Sequence, residues 1–152
     1  MKSPSWSVSP PEYTPEQEAY VELVKTHEQL AAGASAFLKE HAISQPQMNV
    51  LRTLRRAEGG ELPCQALAGE LINRVPDVTR LVDRLEQAGL VQRRGWPEDR
   101  RVVLISLTAK GRRFIDKLYE PLQELHRDQL GHLSARELSQ LVRLLKRVRG
   151  EG

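Results

Sequence analysis

The chain is short of several things at once, and each shortage removes a class of protein. Its one cysteine is Cys64, so no disulfide can form within the chain and nothing points to an oxidising compartment. Aromatic residues make up 5% of it, which favours a helical core of Leu, Val and Ala over an all-β one. No apolar run approaches the length of a bilayer span, and the opening MKSPSWSVSPP lacks the apolar stretch of a secretory leader. A cytoplasmic protein without a membrane partner is therefore expected. His27, His41, His126 and His132 fall at spacings that form no Cys/His cluster, so neither a metal nor another cofactor is expected. There is no nucleophile–base pair and no Gly-rich phosphate loop, and the adjacent acids Glu98 and Asp99 lie in a turn-rich segment unsuited to catalytic geometry. These absences argue against an enzyme.

What is present fits one soluble domain: 152 residues, 39% hydrophobic and 28% charged. The net charge of +3 conceals local clustering. Arg93, Arg94, Arg100 and Arg101 crowd one short segment, and a local basic patch suits a polyanion. Arg143, Lys146, Arg147 and Arg149 crowd the C-terminus and read as a solvated face.

Residues 1–13, rich in Pro and Ser, read as a tail, with Trp6 the one residue able to dock. Residues 14–151 read as a single domain. Thr14, Pro15 and Gln17 mark a helix start, and apolar residues from Tyr20 to Leu38 then recur at three- and four-residue steps. A long amphipathic helix from about 15 to 40 follows, too apolar on one face to stand alone in water. Ser44 opens a second helix that buries Met48, Val50, Leu51 and Leu54 and stops at Gly59-Gly60. Pro63 opens a third, with Leu67, Ala68 and Leu71 facing inward, and Asn73-Arg74 makes the turn. A fourth, from about 75 to 88, buries Val75, Val78, Leu81, Val82, Leu85 and Ala88 and ends at Gly89. Leu90–Arg94 and Val102–Leu107 read as paired strands around a polar turn. Thr108 caps the next helix, which Pro121 should kink, and Ser134 with Glu137 boxes the start of the last.

That order of parts is a winged helix-turn-helix over about 44–108: mainly α, with a small β-wing. Arg80 and Arg84 stand one turn apart on the polar side of the fourth helix, with Asp77, Thr79 and Asp83 around them. Such a helix can lie in the major groove of double-stranded DNA, where the planar arginine fork reaches base edges or phosphates. A ribbon tipped by arginine suits the narrow, electronegative minor groove. Asp99, two residues before Arg101, is placed to orient it. Taken singly, the helix is equally well a solvated surface; the wing shifts the balance. A winged-helix protein-interaction module without sequence-specific DNA binding is the alternative, and the basic tip argues against it.

The segments Thr79-Arg80-Leu81-Val82-Asp83-Arg84-Leu85, Gly89-Leu90-Val91, Asp99-Arg100-Arg101 and Leu107-Thr108 with Gly111 together resemble the MarR (multiple-antibiotic-resistance regulator) family. The likeness runs over roughly residues 15–148. It implies a homodimer built by first and last helices, here about 15–40 and 109–149. It also implies a pseudo-palindromic operator, usually repression, and release by a phenolic or lipophilic small molecule or by thiol oxidation. Carried onto this chain, Arg74, Asp77, Thr79, Arg80 and Arg84 become recognition-helix contacts. Arg93, Arg94, Asp99, Arg100 and Arg101 become the wing, with Arg101 entering the minor groove. Tyr20, His27 and Trp6 become candidate ligand-lining residues. The family's thiol sensors carry cysteine near the start of the first helix, where this chain has none; Cys64 reads as a plain residue, with a redox switch the alternative. Independently of the resemblance, the outer helices carry more apolar surface than one small domain can cover, and a twofold partner would bury it.

Overall fold

A computed structural model describes residues 7–72 and 74–152. In chain order the elements are α1 (Pro15–Glu40), α2 (Gln45–Arg56), β1 (Glu61–Pro63), α3 (Cys64–Glu70), α4 (Val78–Gln87), β2 (Val91–Trp96), β3 (Asp99–Leu107), α5 (Ala109–Leu130) and α6 (Ala135–Val148). The three strands form one antiparallel sheet in the order β1-β3-β2. Among the described residues no helix is long and apolar enough to cross a membrane.

Helix starts follow local chemistry. Thr14 with Gln17, Ser44 with Gln47 and Ser134 with Glu137 each form a reciprocal capping box, which satisfies amide groups that the first turn leaves unpaired. Asp77 caps α4 by accepting from the Arg80 amide at 3.0 Å. Gly89 ends α4 at φ +74°, a left-handed conformation that costs glycine nothing.

The core lies where α2 meets α3, α4, β3 and α5. Leu51 and Leu54 of α2, Leu67 of α3, Val82 of α4 and Ile105 of β3 are fully buried, with Leu85, Ile115 and Leu118 nearly so. Each such side chain contributes about 1.5–3 kcal/mol by leaving water. The wing is fastened to the start of α5. The Thr108 hydroxyl donates to the Gly89 carbonyl at 2.6 Å and accepts from the Gly111 amide at 2.9 Å. Gly111 is required there, since a Cβ would sit 1.9 Å from the Leu90 carbonyl oxygen.

The architecture corrects the sequence reading in several places. The fourth helix starts at Val78 instead of about 75, because Asp77 takes the cap and leaves Arg74, Val75 and Pro76 in the approach. Ala68 is exposed, since α3 is a short helix that buries Leu67 alone. Ala88 is exposed as well, beyond the last turn of α4. The wing strands reach further toward the turn than expected, to Trp96 and from Asp99, so the connection is only Pro97-Glu98. Strand β1 went unread: three residues, one of them proline, carry no periodicity, and only pairing with Leu104–Ser106 makes them a strand. As expected, Pro121 falls inside α5. Asn73 and Trp6 lie outside the described residues.

The outer helices behave differently from the core. Only Leu38 of α1 is buried, and no residue of α6 is. Tyr20, Leu23 and Val24 on α1 are exposed, as are Leu141, Val142, Leu144 and Val148 on α6.

Candidate nucleic-acid interface

Helix α4 turns Leu81, Val82 and Leu85 into the core. This leaves Thr79, Arg80, Asp83, Arg84 and Glu86 in solvent. Among the described residues, no ion pair involves Arg74, Arg80, Arg84 or Arg100. Their charges are therefore not spent on neighbouring carboxylates. Asp77, grouped with them in the sequence reading, has its carboxylate engaged with the helix start.

The wing presents its arginines in three different ways. At the tip, Asp99 accepts from the Arg101 amide at 3.0 Å and from its guanidinium Nε and Nη2 at 3.2 Å each. Those bonds hold the Asp99 carboxyl below the usual carboxylate range, so it stays ionised through neutral pH. The Arg101 side chain is nonetheless 91% exposed: oriented but not covered. Arg100 is exposed beside it. At mid-ribbon, Arg94 reaches back to Glu61 of β1, with Nε to Oε2 at 3.0 Å; that hydrogen bond, with the carboxylate charge, raises its pKa. Arg93 faces α4 and bonds Asp83 at 2.5 Å, Glu86 at 2.9 Å and the Thr79 carbonyl at 3.2 Å. Burial works against the Arg93 charge, yet hydrogen bonds and attraction from Asp83 and Glu86 leave its pKa raised. The acid partners Glu61, Asp83 and Glu86 were not read as wing partners from sequence. Glu86 lies seven positions before Arg93, while Glu61 lies 33 before Arg94, too distant for any local pattern to signal.

Between the wing and helices α3 and α4 lies a cleft of about 630 Å³. Cys64, Gln65, Thr79, Arg93 and Arg101 are among its lining residues, and Cys64, the first residue of α3, is half-buried there. A second, smaller cavity of about 100 Å³ opens between α2 and α5. Met48, Arg52, Arg55, Ile115, Tyr119 and Leu122 line it, and Arg55 pairs with Asp116 at 2.6 Å while standing 5.1 Å from the Tyr119 ring centre. Tyr20 and His27 lie exposed on α1 and line neither cavity. The α2–α5 cavity lies between the winged lobe and a helix expected at the dimer base, but its lining residues, from helices some sixty positions apart, were not read from the sequence.

Comparison with known proteins places this geometry. The family model for the MarR family matches residues 43–103, the stretch from the start of α2 into β3. A MarR transcription factor from Planctomyces limnophilus is 38% identical, with 90% of this chain and 98% of that one covered at a TM-score of 0.68. The HTH-type transcriptional regulator YdgJ of Bacillus subtilis is 33% identical over 107 residues, which is 70% of this chain and 64% of that protein. A mutant MarR from E. coli, solved in complex with operator DNA, is 27% identical and covers 88% of this chain and 95% of its own, with a TM-score of 0.76. The chain belongs to the MarR family of winged helix-turn-helix transcriptional regulators. It is a DNA-binding regulator of transcription and not an enzyme.

Proposed function

We propose that this regulator works as a cytoplasmic homodimer that represses transcription from a pseudo-palindromic operator and lets go when a small molecule binds. The observation that carries the reading is the division of labour among cations. Arg80 and Arg84 project unpaired from one face of α4, while Asp99 holds Arg101 extended at the wing tip. In this reading α4 enters the major groove, with Arg80 and Arg84 on base edges or phosphates and Thr79 at the flank. Arg74 approaches the backbone, and Arg101, with Arg100 beside it, enters the minor groove. Arg94 and Asp77 serve by holding the ribbon and the helix start in place. The relative solved in complex with operator DNA supports duplex DNA as the partner.

The apolar faces left open on α1 and α6 support the dimer: a second copy would cover both. Two copies of α4 would then meet successive major grooves about ten base pairs apart. The α2–α5 cavity supports a small-molecule effector, since Met48, Ile115 and Leu122 offer an apolar wall and Arg52 and Arg55 a cationic one. At about 100 Å³ the cavity would have to widen to admit a phenolic compound with an acidic group, and Arg55 would have to turn from Asp116 to meet it.

Fluorescence anisotropy tests the reading. With a duplex recovered from a randomised pool, affinity should fall steeply as salt rises, because phosphate contacts release counterions. Arg101→Ala should weaken binding roughly 10- to 100-fold. Unchanged affinity in that variant, or capture of a protein with no retention on DNA, would favour an interaction module instead.

A further inference from the structure

We infer that Arg93 is a positioning residue: it locks the wing to the recognition helix at a fixed offset and does not itself contact DNA. This rests on the DNA-binding reading above and adds to it a part that no motif assigns.

Thr79, Asp83 and Glu86 form one stripe of α4, the stripe that faces β2. Over seven residues that stripe spans about 10 Å of helix axis. The Arg93 guanidinium bridges all of it, and the Arg93 backbone amide adds a bond to the second Glu86 oxygen at 3.2 Å. Arg80 and Arg84 occupy the neighbouring stripe and make no such bonds. The Arg93 side chain is 25% exposed against 91% for Arg101, so a phosphate would have to displace Asp83 or Glu86 to reach it. The arrangement also settles an electrostatic problem. Asp83 and Glu86 stand on the helix that approaches a polyanion, and unpaired they would repel it. Arg93 draws both toward the wing and offsets part of their charge. The fork sends these bonds out from two separate nitrogens, Nη1 and Nη2, in a fixed plane; an ammonium has three donors but they radiate from one nitrogen and cannot span the same spread of acceptors. The helix that reads the major groove and the tip that reads the minor groove are thereby held as one unit.

The test uses the full-length protein and a duplex that the wild type selects from a randomised pool, with anisotropy measured across a KCl series. Arg93→Met and Asp83→Asn should each weaken binding about tenfold, and the double variant should bind no worse than Arg93→Met alone. The slope of log K against log salt should equal that of the wild type in all three, since no phosphate contact is lost. Arg93→Lys should bind as poorly as Arg93→Met, with a circular-dichroism melt confirming that it is folded. The proposal is overturned if Asp83→Asn binds as tightly as wild type or tighter, the result expected when an acid is simply removed from a DNA-facing surface. It is equally overturned if Arg93→Lys restores affinity, or if Arg93→Met lowers the salt slope by roughly 0.9, the signature of one lost phosphate contact. Wild-type protein that recovers no duplex at all would remove the DNA-binding reading and the Arg93 role together, whereas tight wild-type binding with additive variants would remove the Arg93 role alone.

Discussion

The winged lobe and the outer helices are built from the same apolar residue types, yet only one of them is finished within a single chain. In the lobe, Leu54 of α2 is 0% exposed and surrounded by its own chain. On the outer helices, Tyr20 is 69% exposed and Val148 71%. Helices α2 and α4 of the lobe and α6 outside it share clear amphipathic periodicity and side-chain caps, so those local signals do not separate the regions. What separates them is whether another element of this chain lies opposite. The lobe finds its packing partners within the chain; α1 and α6 leave apolar side chains uncovered, the surface on which the proposed dimer rests.

Three changes break or sharpen that contrast. The largest effect belongs to Leu54→Ala, which should cost about 2–5 kcal/mol by loss of transfer energy and by the cavity left behind. Its melting temperature should drop by the same amount at every protein concentration, because the contact lies within one chain. Next comes Val142→Asp, placing a charge on the open face of α6. Sedimentation should show monomers, and operator affinity should fall on the order of 100-fold as the second half-site is no longer held at high effective concentration. Wild-type melting should rise with protein concentration while that of the variant does not. Smallest is Ser134→Ala, which removes the α6 capping box and should lower stability by about 1 kcal/mol in thermal unfolding, without changing the DNA salt slope.

Much of the fold was legible because its signals are local. Thr14-Pro15, Ser44, Thr108 and Ser134 begin helices where their side chains reach amides three residues on. The boundary of α4 was misjudged because Val75 continues the apolar period of Val78 and Leu81 into a segment that is not helical; Asp77 as cap was the better guide. The site was legible in its cations and illegible in its acids. Asp99 and Arg101 are two residues apart and their bonding could be read directly, whereas the roles of Arg93 and Arg94 depend on carboxylates brought in by α4 and β1. Likewise the α2–α5 cavity joins Arg55 to Asp116 across 61 positions, a separation that no periodicity reports.

The junction at Thr108 has a mechanical consequence. Its hydroxyl ties the end of the α4–β2 bend to the first turn of α5, and the missing side chain at Gly111 lets helix and ribbon root touch. No slack linker separates the two. A 22-residue helix is about 33 Å long, and a tilt imposed near Leu130 would, so far as α5 stays stiff across Pro121, reach the ribbon as rotation.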